Sequence, residues 1–175
     1  MRGIPLVVPR SRWVRPTSDR VRIALFQLLG AAIIDASVLD LYAGSGALGI
    51  EALSRGAASV DFVETDSRSC GVVEQNLAAA NLGEHGRVYH ARVERALEFL
   101  TGSYHVVLLD PPYALPGVRD IMNRLAASDL IDSKGVVAAE HSSRVPLADG
   151  YGPLRRVQAR RYGDTAISVY RAGEA

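Results

Sequence analysis

Two stretches of the chain hold residue types that could do chemistry at the end of a β-strand. The first is Asp110-Pro111-Pro112-Tyr113, which follows the apolar run of residues 105–109. That run has the composition of a buried strand, and it stops at the two prolines, which cannot continue a hydrogen-bonded ladder. Pro111 also restricts Asp110 to an extended backbone. A carboxylate and an aromatic ring are thereby expected at a strand's carboxyl end, the edge of an open α/β sheet where ligands bind. Taken alone, Pro-Pro-Tyr reads first as a tight turn after the strand that buries a tyrosine.

The second stretch changes that balance. Residues 38–49 read as a strand, then Gly44-Ser45-Gly46-Ala47-Leu48-Gly49, then the start of a helix. In such a G-x-G-x-x-G turn the first two glycines allow a tight turn and close approach to a ligand, and the third allows close helix packing. Glu64 closes the next strand, where a carboxylate can accept hydrogen bonds from both ribose hydroxyls. Strand, loop, helix, strand and acid in this order imply a cofactor that contains a nucleoside. Asp40 lies four residues before Gly44. An acid there repels a pyrophosphate, whereas it suits a ligand carrying an ammonium and a sulfonium. The chain also offers no second domain to hold a hydride acceptor. S-adenosyl-L-methionine therefore fits better than NAD.

These residues need a frame. Strands are expected near 38–42, 59–64, 87–91, 105–110 and 135–140, with helices near 47–56, 67–82, 93–100 and 117–127. That alternation implies an α/β fold with a mostly parallel sheet and helices on both faces. Residues 154–161 and 165–171 read as two strands around Tyr162-Gly163-Asp164, an antiparallel hairpin closing the sheet. A helix is expected from about Asp19 to Ala32, N-capped by Thr17 or Ser18, with Val21, Leu25, Leu28 and Ala32 on its buried face. Residues 1–17 are rich in arginine and interrupted by proline. They read as a basic arm or small hairpin, with strands near 4–8 and 12–14, ahead of a single domain over 18–175. Trp13 in this arm either pins it to the core or stacks on a base.

Composition narrows the class. A chain of 175 residues with 48% hydrophobic and 22% charged content is ordinary for one globular domain. No apolar run reaches the length of a membrane span, and the N-terminus lacks the apolar core of a signal peptide. One cysteine, Cys70, gives no intrachain disulfide framework, as expected in a reducing cytoplasm. The formal net charge is +1, yet residues 1–22 hold six arginines against Asp19 alone. Arg10, Arg12, Arg15, Arg20 and Arg22 are accordingly candidates for phosphate contacts; Arg20 and Arg22 could instead face solvent or a cofactor carboxylate. Arg155, Arg156, Arg160 and Arg161 read first as a solvated strand face, with an extension of the basic surface as the alternative. The four histidines lack ligand spacing, so no metal is expected.

Residues 40–49 resemble motif I of class I S-adenosylmethionine-dependent methyltransferases, with Glu64 matching their ribose-binding acid. Asp110-Pro111-Pro112-Tyr113 resembles the motif of enzymes that methylate exocyclic nitrogens. Arg15-Pro16-Thr17-Ser18-Asp19-Arg20-Val21-Arg22 and Glu51-Ala52-Leu53-Ser54-Arg55-Gly56-Ala57 are similar to blocks of the RsmD-type methyltransferases, which modify guanine N2 in bacterial 16S ribosomal RNA. The resemblance covers nearly the whole chain and implies a Rossmann-like sheet. It also implies Asp110, Pro111, Pro112 and Tyr113 as catalytic residues. Asp40, Tyr42, Gly44, Ser45, Gly46, Glu64, Thr65, Arg92 and Thr17 would bind the cofactor. The implied substrate is 16S ribosomal RNA, within the small subunit or an assembly intermediate, met by a cytoplasmic monomer. Three departures stand out. The family's additional first strand is not expected here, Ile23 replaces a common Glu, and Ala91-Arg92-Val93 lacks the acid or amide that often contacts the adenine.

Other readings of the same motifs are methylation of adenine N6 or cytosine N4 in DNA, methylation of a protein glutamine amide, and a noncatalytic RNA-binding module on a decayed fold. The first would usually need a target-recognition segment, and the second typically has Asn in place of Asp110. The third conflicts with the intact set of Asp40, Gly44, Gly46, Glu64 and Asp110 to Tyr113.

Overall fold

The computed structural model describes Val7, residues 19–112 and residues 117–173. Helix α1 (Asp19–Leu29) leads through a 3-10 turn at Gly30–Ile33 into the sheet. Strands β1 (Ser37–Leu41), β2 (Ser59–Glu64), β3 (Gly86–His90), β4 (Tyr104–Leu109) and β5 (Ile131–Ser142) alternate with helices α2 (Ala47–Ser54), α3 (Ser67–Ala79), α4 (Val93–Phe99) and α5 (Val118–Ala126). Strands β6 (Gly150–Tyr151), β7 (Leu154–Tyr162) and β8 (Thr165–Ala172) complete one eight-stranded sheet of order β3-β2-β1-β4-β5-β8-β7-β6. The first five strands pair in parallel and the last three antiparallel. The order reverses between β1 and β4, and the crevice outside their carboxyl ends is where such folds bind ligands.

The central strands are covered on both faces, which explains their near-continuous apolar runs. One apolar layer joins α1, α2 and α3 to Val38, Val60, Phe62, Val106, Leu108, Val136, Ala138, Ile167 and Val169. The other joins α4 and α5 to Leu39, Leu41, Val107, Leu109, Val137, Ala139 and Tyr170. Asp40 departs from this pattern, a carboxylate 1% exposed near the carboxyl end of β1, as does Glu140, 4% exposed in β5.

The expected elements are all present among the described residues, with five corrections. The expected helix from Asp19 to Ala32 ends at Leu29, where the 3-10 turn takes over and Gly30 adopts φ +53°. The buried face of α1 is Val21, Ala24, Leu25, Phe26 and Leu29, so Leu28 and Ala32 are only partly buried. Strand β5 exceeds 135–140: Ile131 pairs with Tyr104, the register then slips, and the regular ladder starts at Val136. A side chain at Gly135 would meet Ile131 and the Asp132 backbone, so the slip needs glycine there. Strand β6 has no sequence signal of its own and forms by pairing Gly150 and Tyr151 with the start of β7. The hairpin turn is Gly163-Asp164, because Tyr162 pairs with Thr165 and only Gly163 carries a positive φ, +62°. That is the pattern of a type II′ turn. The arm at 1–17, apart from Val7, lies outside the described residues, as do Thr17, Ser18 and Tyr113.

Candidate active site

The site is built on the ends of β1, β2 and β4. Strand β1 turns sharply after Leu41. Tyr42 has φ +63°, Gly44 φ +56° and Gly46 φ +79°, so three of five successive residues sit in the left-handed region. For a tyrosine that backbone is strained, and such strain persists only where the surroundings enforce it. Gly46 then N-caps α2. The third glycine packs tightly: a Cβ on Gly49 would fall 2.3 Å from a Phe62 ring carbon and 2.8 Å from a Val60 methyl. Around Gly44 nothing lies within 4 Å of such a Cβ. Gly49 therefore serves helix–sheet packing, while Gly44 lines open space in which a ligand can approach the backbone.

Glu64 holds the loop in shape. Its Oε2 accepts from the Gly44 backbone N–H at 2.8 Å, and its Oε1 accepts from the N–H groups of Thr65 and Asp66 at 2.7 and 2.8 Å. The side chain is only half-buried, and Oε2 accepts just one of these bonds, so it keeps a lone pair for a further donor. Thr65 is exposed beside it, with its carbonyl oxygen 3.0 Å from His90 Nε2.

Asp40 has the opposite environment. Its Oδ2 accepts from the Gly49 N–H at 2.9 Å, satisfying one of the unpaired donors in the first turn of α2. Its Oδ1 is buried and has no hydrogen-bond partner among the described residues. Burial pushes the Asp40 carboxyl up to about 8; the Gly49 bond opposes this, and the nearby charges of Asp110 and Glu64 add to it. A buried acceptor left unpaired costs about 1–3 kcal/mol, more when charged. Three carboxylates thus converge on one crevice, and the most buried of them keeps one oxygen without a partner among the described residues. That arrangement favours a cationic ligand.

Tyr42 follows β1, with its ring packed against the layer under α4 and α5. Its Oη is buried without a partner among the described residues, and burial, then the Glu94 charge, pushes the phenol up to about 12. Asp110 follows β4 directly. Leu109 pairs with Leu41, and the Asp110 N–H points to the Leu41 carbonyl at 3.4 Å, so Asp110 stands beside the glycine loop one strand away. Pro111 is buried and Pro112 exposed.

The remaining candidates are more dispersed. Arg92 is the exposed N-cap of α4, where its side chain makes no capping bond. Arg20 is exposed on the first turn of α1; Arg22 is pinned to Asp19 by a 2.8 Å ion pair. Arg10, Arg12, Arg15, Thr17 and Tyr113 lie outside the described residues. Among the described residues no cluster of His, Cys, Asp and Glu could hold a metal ion, and no helix is long and apolar enough to cross a membrane.

One residue of the site escaped the sequence reading. Asn76, 1% exposed on α3, donates through Nδ2 to the Ser45 and Val7 carbonyls, both at 3.0 Å, and accepts from the Val7 N–H at 2.8 Å. It ties the glycine loop to Val7. Its signal was available: Asn76 sits with Val73, Leu77 and Ala80 at the spacing of a buried helical face, where an amide needs partners.

Comparisons with known proteins agree with this geometry. The family model described as Conserved hypothetical protein 95 matches residues 1–171. Ribosomal RNA small subunit methyltransferase D of Escherichia coli (strain K12) is 37% identical over 171 residues, covering 97% of this chain and 85% of its own length. The solved structure of yhhF from Escherichia coli superposes with a TM-score of 0.88 at 31% identity, over 99% of this chain and 94% of its own. A conserved hypothetical protein from Streptococcus pyogenes gives 0.82 at 32% identity, over 88% and 96%. With its full-length family match, its 37% identity to a methyltransferase D and a loop built for a cationic cofactor, the chain belongs to the RsmD-type family of class I S-adenosylmethionine-dependent methyltransferases.

Proposed function

We propose that the chain transfers a methyl group from S-adenosylmethionine to the exocyclic N2 of a guanine in small-subunit ribosomal RNA. The observation that carries this reading is the pairing of β1 with β4. It sets the Asp110-Pro111 turn beside a glycine loop whose buried Asp40 has an oxygen in need of a cation.

The residues present fit the cofactor. Asp40 would face its positive charges and Tyr42 would close over it. The backbone of Gly44, Ser45 and Gly46 would lie along it, and Glu64 would accept from the ribose hydroxyls through its spare lone pairs. Thr65, Arg92 and Thr17 would complete the rim. When bound, S-adenosylmethionine supplies an electrophilic methyl group on a sulfonium.

The chain's own task is the nucleophile. A guanine N2 lone pair is delocalised into the ring and reacts poorly. Asp110 accepting one N–H and the Pro111 carbonyl accepting the other would draw the amine toward a tetrahedral geometry and free that pair. Proline at 111 and 112 holds both acceptors stiffly, so orientation is set before the base arrives. Tyr113 would stack on a base taken out of its RNA stack, a contact worth about 1–3 kcal/mol. The proton, acidic once the nitrogen is methylated, leaves to Asp110 or water. The arm at 1–17, with Arg10, Arg12 and Arg15, and the first turn of α1, with Arg20 and Arg22, would hold phosphates. The domain over 18–175 would carry the chemistry. The substrate would be met in the cytoplasm by a monomer, on the small subunit or an assembly intermediate.

Nucleoside mass spectrometry of ribosomal RNA from a strain lacking the gene tests this directly. One N2-methylguanosine should disappear from the small-subunit RNA and return when purified protein and S-adenosylmethionine are added to that RNA or particle. An unchanged RNA profile, with methylation of duplex DNA by the same protein, would overturn the substrate assignment.

A further inference from the structure

We infer that the tip of the β7–β8 hairpin is a second RNA-contacting surface, in which Arg160 and Arg161, with Arg144 beside them, hold phosphates flanking the base delivered to Asp110. This rests on the RNA substrate proposed above and extends it to a surface beyond β5.

The sheet's register puts the tip at the right edge. Strand β4 last pairs with β5 at Leu109 and Ala139, but β5 continues to Ser142, paired with Thr165, and β7 follows through Tyr162. At about 3.3 Å per residue the hairpin overhangs the end of β4 by roughly 10 Å. It lies three strand spacings from β4, or roughly 14 Å to the side. The turn is braced against β5: the Ser143 N–H and Oγ donate to the Asp164 and Gly163 carbonyls at 2.8 and 3.1 Å. The overhang is therefore a fixed wall of the crevice.

A register slip sets the direction of the arginines. Arg156 pairs with Tyr170, but Gln158 pairs with Val169, so Val157 is the extra residue of a β-bulge. Before the bulge, Leu154 and Tyr170 belong to the layer under α4 and α5. After it, Arg160 pairs with Ile167, which belongs to the layer under α1. The bulge moves Arg160 and Tyr162 to the face that carries α1 and exposed Arg20, and leaves Arg161, opposite Ala166, on the other face, so the two arginines flank the turn from both sides.

The four arginines of β7 divide by their partners. At the far end, Arg156 pairs with Asp149 and donates to the Leu147 carbonyl, and Arg155 donates to the Gly152 carbonyl, so both are used in tying down the β6 segment. At the crevice end, Arg160 Nη1 reaches only the carbonyl of Ala159, and Arg161 Nε only that of Gly163. Neither has an acidic partner among the described residues, and both are exposed. Arg144 shares Asp164 at 3.2 Å in an open, solvated pair. Guanidinium groups without acids, fixed beside a crevice of carboxylates, suit a polyanion that must present one base to that crevice.

Charged residues on a free edge strand can also serve simply to block edge-to-edge association. Charge reversal separates the two roles, because Arg160→Glu/Arg161→Glu keeps the edge charged and changes only its sign. Binding of a labelled 16S ribosomal RNA transcript would be measured against salt for the wild type, the double variant and Arg171→Glu at the opposite end of the hairpin. The double variant should bind about tenfold or more weaker, and its salt slope should fall by about 1.4, two phosphate contacts at roughly 0.7 each. Arg171→Glu should match the wild type, and all three should bind S-adenosylmethionine equally. Wild-type affinity and slope in the double variant would overturn the hairpin surface while leaving the RNA substrate intact. A wild type that binds cofactor but no RNA would overturn both. Arg160→Ala/Arg161→Ala serves the same test should reversal unfold the tip, and should lose affinity in the same direction.

Discussion

On one side of the seam between β1 and β4, acids gather. Asp40 lies one residue before the end of β1 and Glu64 ends β2, with Asp110 just across the seam, and the charges of Asp110 and Glu64 press on Asp40. On the other side, beyond β5, the exposed charged residues at the same sheet edge are Arg144, Arg160 and Arg161, with Asp164 the one acid among them and paired to Arg144. The acids are buried or half-buried and held by backbone N–H groups; the arginines are exposed and hold little more than nearby carbonyls. The difference follows from the charges each side would receive. A small cation that must be fixed to a fraction of an ångström calls for buried, oriented acceptors whose field is strong in a low-dielectric setting. A long polyanion needs only long-range attraction and several exchangeable contacts, which exposed guanidiniums supply.

The largest effect should come from breaking the seam itself. Asp110→Ala removes the acceptor for the target amine while leaving the glycine loop, Glu64 and Asp40 in place. Single-turnover transfer to ribosomal RNA should fall by about 10²–10⁴-fold. Cofactor affinity, measured by titration calorimetry, should largely hold, since Asp40, Glu64 and the glycine loop are unchanged. Loss of cofactor binding in this variant would mean that Asp110 belongs to the acidic side rather than to the substrate side.

The sequence made the acidic side legible because each of its parts obeys a local rule. Glycines at fixed offsets, an acid at a strand end and prolines after an apolar run each restrict the backbone by themselves. The basic side was less legible. Arg155, Arg156, Arg160 and Arg161 look alike in sequence; their division depends on a bulge at Val157 and on where β5 ends, and both are set by pairing between distant strands. Asn76 was missed for a related reason, since its partners at Ser45 and Val7 are 31 and 69 residues away. The extension of β5 back to Ile131 likewise depends on Tyr104, not on residues 131–135 themselves.

A second experiment sharpens what the acidic side does. Asp40→Asn keeps an oxygen for the Gly49 N–H but removes the charge. S-adenosylmethionine should bind about 10–100-fold more weakly, the scale of a lost charge-assisted hydrogen bond. The pH dependence has a definite sign. The free protein's Asp40 titrates near 8, far above its ordinary 3.8. A cationic ligand favours the ionised form, so binding near neutral pH should release a proton from Asp40 and affinity should rise toward pH 8. Calorimetry in buffers of different ionisation enthalpy would detect that proton, and Asp40→Asn should abolish it. Stability without ligand runs the other way. A carboxyl whose folded value is raised contributes most below pH 3.8 and loses that contribution as pH rises through 8. Wild-type melting temperature should therefore decline from about pH 4 to about pH 8 and level off above it, and Asp40→Asn should flatten the decline.

The smallest effects separate scaffold from binding surface within one loop. Gly49→Ala would push a methyl into the Phe62 ring and the Val60 side chain, both fully buried. Overpacking of this kind costs about 1–3 kcal/mol, and at roughly 2–4 °C per kcal/mol for a chain of this size the shift is readily seen by calorimetry. Gly44→Ala meets no atom, so its cost is confined to a left-handed backbone, about 1–2 kcal/mol. If open space at Gly44 is where the cofactor lies, its added methyl should reduce cofactor affinity out of proportion to that modest loss of stability. Gly49→Ala should do the reverse, lowering the melting temperature more and affecting affinity only through the displaced N–H on Asp40. Equal ratios of affinity loss to stability loss in the two variants would mean that the loop is held by packing throughout and that the space at Gly44 receives nothing.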